Sequence, residues 1–135
     1  MYKISKFLKL SLFGMATFLL MIIGTSATVQ TLNHAVKTMQ GYTTLPSVQK
    51  SKSSYMAGVV LSLKDPEAVT FSVRAKETNG EWTSYYNGTT VTTLNTNYVV
   101  YYQANYGVGT EVNARFRNSN FTLNSGQIEG EFNYN

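Results

Sequence analysis

The sequence predicts an all-β fold for residues 55–135, a two-layer antiparallel β-sandwich of about seven strands. Thr, Val, Tyr and Phe, which favour strands, are abundant from Tyr55 onward. Apolar and polar residues alternate along several runs, and turn dipeptides separate the runs at short intervals. Seven short strands in about 80 residues are typical of a sandwich or a small barrel, and we favour the sandwich.

Seven runs are predicted to be strands, and short turn motifs separate most of them. The runs are 56–63, 69–76, 81–86, 89–94, 97–106, 109–117 and 127–134. Asp65-Pro66 follows the first run, and Gly107 and Gly109 precede the sixth. Asn79-Gly80 and Asn87-Gly88 predict hairpins, because Asn and Gly tolerate the positive φ angles that tight hairpin turns need.

Alternation predicts which side chains face inward and how the last two strands pair. In the second strand, Val69, Phe71, Val73 and Ala75 alternate with polar residues and are expected to point inward. An antiparallel register of the last two strands places Arg115 opposite Glu131 and Arg117 opposite Glu129, with apolar residues together on the other face. The strand 97–106 is apolar on both faces, which predicts a central strand or one with a covered outer face.

Residues 1–27 have the pattern of a secretory signal peptide. Lys3, Lys6 and Lys9 form a positive start, Leu10 to Ile23 form an apolar run, and Gly24-Thr25-Ser26-Ala27 supplies the small residues of a cleavage site. The apolar run is short for a membrane-spanning helix, which needs ~20 residues. An uncleaved signal-anchor is the alternative. The sequence therefore predicts a secreted protein, extracellular or associated with the cell wall.

The charge of the chain depends strongly on this segment. The whole sequence has 11 basic and 7 acidic residues and a pI near 9.3, which would suggest nucleic acid or an anionic membrane surface as partners. Without residues 1–27 the net charge falls to +1. Arg74 and Lys76, and also Arg115 and Arg117, are interpreted as solvated outward side chains. We expect no nucleic-acid partner, and membrane contact only through the signal segment during export.

Residues 28–54 are predicted to be a helix and a linker that precede the sandwich. Val29, Leu32, Val36 and Met39 share one helical face, so 28–41 is interpreted as a short amphipathic helix, with a frayed arm as the alternative. Residues 42–54 are rich in Ser, Thr and Lys and are interpreted as a linker with a solvated Lys50 and Lys52.

Residues that could perform catalysis are scarce. The sequence has no Cys, one His (His34) and one Asp (Asp65), and no nucleophile motif surrounds any Ser. Glu129 and Glu131 could act as the paired carboxylates of a glycoside hydrolase, but the Arg residues predicted opposite them favour surface ion pairs. No metal-binding pattern is present. We expect a protein that is not an enzyme and has no cofactor.

Aromatic residues are the remaining candidates for function. They crowd the middle of the domain, and Trp82, Tyr85, Tyr86 and Tyr101 are the candidate partner-binding residues. Exposed aromatic rings offer large rigid contact areas to carbohydrate rings or protein surfaces. The alternative is that most of these rings pack within the core or along strand edges.

The layout resembles an uncharacterised family of small secreted, Cys-free, β-rich proteins of Gram-positive bacteria. The resemblance depends on Ala68–Val73, Gly109–Asn118 and Ile128–Phe132 and covers roughly half of the chain. More distantly, the sequence is similar to lactococcin-type secreted bacteriocins. The main hypothesis is a secreted, non-enzymatic β-sandwich that binds an extracellular protein or a cell-wall glycan. The alternative hypothesis is a secreted bacteriocin-like or toxin-like antimicrobial protein.

Overall fold

Two antiparallel sheets packed face to face form the structure. The computed structural model describes residues 28–135; the predicted signal peptide lies outside the described residues. The strands are β1 (Val29–Val36), β2 (Thr43–Thr44), β3 (Val48–Gln49), β4 (Ser54–Lys64), β5 (Val69–Ala75), β6 (Thr89–Val91), β7 (Tyr98–Tyr106), β8 (Glu111–Asn118) and β9 (Gly126–Asn133). Sheet A has the order β1-β9-β4-β7, and sheet B has the order β2-β8-β5-β6 with β3 also paired to β8. The predicted all-β sandwich is confirmed.

The core lies between the two sheets and is built from strand side chains. Phe71 of β5 contacts Phe116 of its own sheet and Phe132 of sheet A, at ring-centroid distances of 5.5 and 5.8 Å. Val69, Val73 and the other residues predicted to face inward from this strand are fully buried, which confirms that prediction. The buried residues of the described core lie between Leu32 and Tyr134 and come from both sheets.

The strands define two ends of the sandwich. At the upper end, β1, β4 and β8 finish, and the loops 37–42, 65–68 and 119–125 lie together. At the lower end, Asn135 donates from Nδ2 to the hydroxyls of Thr28 and Ser51, at 2.8 Å each. The two chain ends of the described part therefore meet at the lower end.

Residues 29–36 form a strand, so the helix predicted over 28–41 is wrong. Leu32 and Val36 are buried, whereas Val29 and Met39 are exposed. A spacing of four residues places side chains on one face both of a helix and of a strand, so these two buried residues fit either period. β1 pairs along its full length with β9, and this ladder satisfies its backbone hydrogen bonds. An isolated helix of the same length would be only marginally stable.

The register predicted for the last two strands is also wrong. β8 lies in sheet B, where Arg115 is opposite Ser72 of β5. β9 lies in sheet A, where Glu131 is opposite Thr31 of β1. Alternation identifies the inward face of each strand correctly. It does not show whether two strands pair within one sheet or face each other from opposite sheets of a sandwich, as β8 and β9 do.

The run 81–86 does not form a regular strand. Trp82 makes a single antiparallel bridge with Lys76, after a turn in which Gly80 has a φ of +85°. The chain then follows the edge of β5 irregularly and continues into β6 on the same edge. Asn79-Gly80 therefore reverses the chain as predicted, whereas Asn87-Gly88 does not make the predicted hairpin.

β7 is an edge strand, although its apolar faces predicted a central or covered one. Its outward Tyr101 is 47% exposed and stacks on Tyr55, with ring centroids 6.1 Å apart. Thr89 of β6 donates from its hydroxyl to the carbonyl of Val99 at 2.7 Å. The side chain of a sheet B residue thus satisfies one carbonyl of β7, which draws the two sheets together along this side of the sandwich.

Lys50, predicted to be solvated, is buried at the lower end. Its side chain is 1% exposed, and its Nζ donates to the carbonyl of Tyr134 at 2.7 Å and to the hydroxyl of Ser54 at 3.0 Å. The Nζ also lies 4.3 Å from the centroid of the Tyr102 ring. The sequence around Lys50 is polar, and the side chain is buried because residues distant in the sequence, Tyr102 of β7 and Tyr134, cover it.

Candidate functional site

All three arginines of the sequence lie on the outer face of sheet B. Arg74 comes from β5, and Arg115 and Arg117 come from β8. Each is adjacent in sequence to a fully buried apolar residue that points into the core, so strand alternation directs the arginines outward. The predicted outward position of the three arginines is therefore confirmed. Because β5 and β8 are neighbours in the sheet, the arginines also lie close together.

Three aromatic rings lie over this face, and each reaches it from outside the central strands. Trp82 and Tyr85 come from the irregular segment beside β5, where Thr83 N donates to Ala75 O at 2.8 Å and Tyr86 N donates to Val73 O at 3.1 Å. Tyr42 comes from the residue just before β2. These flanking segments pair with the two edges of the β5–β8 pair, which places aromatic side chains on both sides of the arginines.

The rings and guanidinium groups contact one another in succession. The Cζ of Arg74 lies 4.6 Å from the Trp82 ring centroid and 4.7 Å from that of Tyr85. The Cζ of Arg115 lies 4.0 Å from the Tyr85 centroid and 3.7 Å from that of Tyr42. These distances are typical of cation–π contacts, which contribute ~0.5–2 kcal/mol each.

The Cζ of Arg117 continues the succession at 5.5 Å from the Tyr42 ring centroid. We call the six residues the arginine–aromatic row: Trp82, Arg74, Tyr85, Arg115, Tyr42 and Arg117.

Polar side chains of the sheet fix the inner part of the row. The Nε of Arg74 and the hydroxyl of Tyr85 both donate to Oδ1 of Asn113, at 3.1 and 3.0 Å. The Nε of Arg115 donates to the hydroxyl of Ser72 at 3.3 Å. Asn113 and Ser72 are buried beneath the row. Arg74 and Arg115 are therefore held at Nε, and the two Nη groups of each remain as donors for an external partner.

The row carries positive charge that no carboxylate neutralises. Among residues 28–135 the ion pair at this face joins Lys76 to Glu111, with Nζ and Oε2 3.1 Å apart, and none of the three arginines forms a salt bridge. The Nε of Arg117 is buried and has no hydrogen-bond partner among these residues. Desolvated and unpaired guanidinium groups are costly for a folded protein, so this face is suited to a negatively charged ligand.

Two of the four candidate partner-binding residues belong to the row, and two do not. Trp82 and Tyr85 contact arginines as described. Tyr86 is 39% exposed at the edge of sheet B, and Tyr101 is on the outer face of sheet A. Tyr42 was not among the candidates, because its polar surroundings in the sequence indicate a linker. The outward arginines were the available signal, but their position on two adjacent strands could not be deduced from alternation alone.

The predicted carboxylate pair lies on the opposite face of the sandwich. Glu129 and Glu131 line a groove of about 420 Å³ on the outer face of sheet A, together with Thr31, Asn33 and Ser62. Neither glutamate is near the arginines predicted to pair with it, because the two strands belong to different sheets. Within residues 28–135, no group of three or more His, Asp or Glu side chains is arranged to hold a metal ion.

The chain has no significant match to any known protein family, to any curated protein or to any solved structure. In residues 28–135 the structure contains no helix that is long and apolar enough to cross a membrane.

Proposed function

We propose that this protein is a secreted, non-enzymatic binding protein that holds an anionic partner of the cell surface on its arginine–aromatic row. The observation that supports the proposal is the set of three arginines that contact aromatic rings, are held at Nε or buried there, and lack any carboxylate partner among residues 28–135. Arg is suited to this task because its planar group stacks on rings while its edge donates to carboxylate or phosphate oxygens.

The geometry changes the role expected for the aromatic residues. A sugar ring that binds to an aromatic platform needs a free ring face. The rings of Trp82, Tyr85 and Tyr42 each have two cations within 6 Å of their centroids. Each ring is therefore already in contact with the protein's own cations, and in this proposal the rings act as supports that space and orient the guanidinium groups.

The arrangement of the cations favours an extended ligand over a single small anion. Arg74 and Arg115 are on adjacent strands, and Arg115 and Arg117 are two residues apart on β8, a separation of roughly 7 Å along a strand. The guanidinium groups are spaced along the sheet with aromatic rings between them. They do not converge around a single point, as the donors of a site for one small anion would. We therefore propose an anionic cell-wall glycan or similar linear polymer as the partner.

A binding comparison tests the proposal with residues 28–135. Long-chain polyphosphate and polygalacturonate serve as phosphate and carboxylate probes, and neutral dextran serves as the uncharged polymer. We expect binding to the anionic probes, little binding to dextran, and a loss of affinity with added salt because counterions compete for the guanidinium groups.

Matched variants distinguish the row from general positive charge. Arg115→Gln removes the central cation, and we expect it to weaken binding about tenfold or more, in line with the ~1.5–3 kcal/mol of a charge-assisted hydrogen bond. Arg115→Lys keeps the charge but loses the planar donor edge, and we expect most of the same loss. Lys52→Gln makes the same charge change at an exposed residue outside the row and should leave affinity nearly unchanged. Equal losses for Arg115→Gln and Lys52→Gln would contradict a specific site.

A further inference from the structure

The upper end of the sandwich exposes three large apolar side chains. Met39 is 59% exposed, Phe121 is 66% exposed and Leu123 is 75% exposed. Among the large apolar side chains of residues 28–135, only one other exceeds the exposure of Met39, namely Val108 at the lower end. We call Met39, Phe121 and Leu123 the apolar tip. Exposed apolar groups concentrated at one end of a small domain indicate a contact surface.

Hydrogen bonds hold the two loops of the tip together. Met39 N donates to the carbonyl of Thr122 at 2.8 Å, and Nε2 of Gln40 donates to the carbonyl of Ser119 at 2.7 Å. Met39 and Gln40 have φ angles of 55° and 59°, in the left-handed region that costs non-glycine residues free energy. The bonds between the loops maintain this conformation and hold the backbone of Met39 beside Thr122, which lies between Phe121 and Leu123.

The shape and surroundings of the tip favour a lipid surface as its partner. The side chains project from loops into solvent, with at least 59% of each exposed. A fluid bilayer can accept such a protrusion without a matching pocket. The arginine–aromatic row ends directly below the tip, since Tyr42 and Arg117 adjoin the two loops. If the apolar tip enters a bilayer, Tyr42 and Arg117 lie at the level of the lipid headgroups, where amphipathic rings and cations are favoured.

The charged groups at the upper end leave a positive balance. Lys37, Lys64 and Arg117 are cationic, and Asp65 and Glu67 are anionic. Both anions accept hydrogen bonds from neighbouring segments, Asp65 Oδ2 from Gln127 N at 3.0 Å and Glu67 Oε2 from Nδ2 of Asn120 at 3.3 Å. The Nζ of Lys64 donates to the carbonyls of Pro66 and Glu67, and the balance of these five charges is +1. The net positive charge complements anionic lipid headgroups.

We infer that the apolar tip inserts into the surface layer of a lipid bilayer that contains anionic lipids, with Tyr42 and Arg117 at the headgroups. This inference does not depend on the proposed polymer binding. The tip is at the end of the sandwich opposite to Thr28, the first described residue.

Vesicle flotation with residues 28–135 tests the inference. The vesicles are phosphatidylcholine alone, or an equal mixture of phosphatidylcholine and phosphatidylglycerol. We expect stronger binding to the mixture. The double substitution Phe121→Ser with Leu123→Ser should weaken binding to it by on the order of tenfold per side chain, because the apolar area no longer leaves water. Val108→Ser, an equally exposed apolar residue at the lower end, is the matched control and should retain full binding.

Each other outcome overturns the inference. Absence of binding to both vesicles shows that the tip does not insert. Equal losses for Val108→Ser and the double variant show nonspecific adsorption. Retained binding in the double variant together with lost binding in Arg115→Gln shows that the row alone contacts headgroups. Unchanged thermal unfolding of the variants confirms that they are folded, which we expect because the substituted side chains are exposed.

Discussion

Lys50 gives the stability of this protein a specific dependence on pH. Its Nζ is enclosed by the Tyr134 carbonyl, the Ser54 hydroxyl and the Tyr102 ring, and none of these carries a negative charge. Removal of the ammonium group from water disfavours the charged form, and burial lowers the pKa of Lys50 from 10.5 to about 8. Folding therefore competes with protonation of this amine.

The direction of the effect follows from the proton balance. Below pH 8 both the folded and the unfolded chain bind the proton, and the folded state carries the full desolvation cost. Between pH 8 and 10.5 only the unfolded chain still binds it, so the free energy of unfolding rises with pH. A pKa difference of this size corresponds to roughly 3 kcal/mol in total, of which about 2 kcal/mol is gained by pH 9.5.

Buried tyrosines set the upper limit of this pH range. Burial raises the pKa of Tyr102 and of Tyr134 above the ordinary tyrosine value of 10.0. Above pH 10 the unfolded chain loses these protons and the folded chain keeps them, so stability falls again. We therefore expect maximal stability between pH 9 and 10 rather than near neutrality.

Urea unfolding followed by the fluorescence of Trp82 measures the effect at several values between pH 7 and 9.5. Lys50→Met should remove the part of the rise that Lys50 causes and leave only what Tyr98, whose pKa is also lowered, adds in the same pH range. It should be at least as stable as the original protein at pH 7, because the Tyr134 carbonyl retains the hydrogen bond from the Tyr102 hydroxyl at 3.1 Å. Lys52→Met changes an exposed lysine and should preserve the rise. A flat profile in the original protein, or an equal rise in Lys50→Met, would refute the reasoning.

Three further predictions concern single side chains. Gly130→Ala should destabilise the fold by roughly 3 kcal/mol or more, because φ is +154° there and a Cβ would overlap the carbonyl of Val60; Gly107→Ala, where a Cβ meets nothing, is its control in thermal unfolding. Phe71→Ala should cost ~3–5 kcal/mol in urea unfolding, and a cost below 1 kcal/mol would contradict its central place in the core. Hydrogen bonding with Thr92 lowers the pKa of Tyr98 to about 8, so ultraviolet absorbance should detect a phenolate near that pH that Tyr98→Phe eliminates.

Local alternation was sufficient to predict the interior of β5 but not the pairing of the strands. Phe71 and Val73 are buried as expected because a period of two residues is specific to strands. Leu32 and Val36 are four residues apart, a spacing that fits a helix equally well, and only the ladder with β9 decides between the two. Partner choice depends on contacts distant in sequence, which no local pattern contains.

The candidate site shows the same division between local and distant information. The outward direction of Arg74, Arg115 and Arg117 follows from their neighbours in sequence. Their stabilisation by rings does not, because Tyr42 precedes β8 by a long stretch of chain, and Tyr85 lies on an irregular segment that alternation misassigned as a strand. An outward arginine that is fully solvated moves freely and contributes little. An arginine stacked on a ring, bonded at Nε and lacking a carboxylate has already lost its side-chain entropy, so an anion that binds to it does not bear that cost again. This difference in preorganisation, rather than the net charge of the chain, makes the outer face of sheet B the surface to test first.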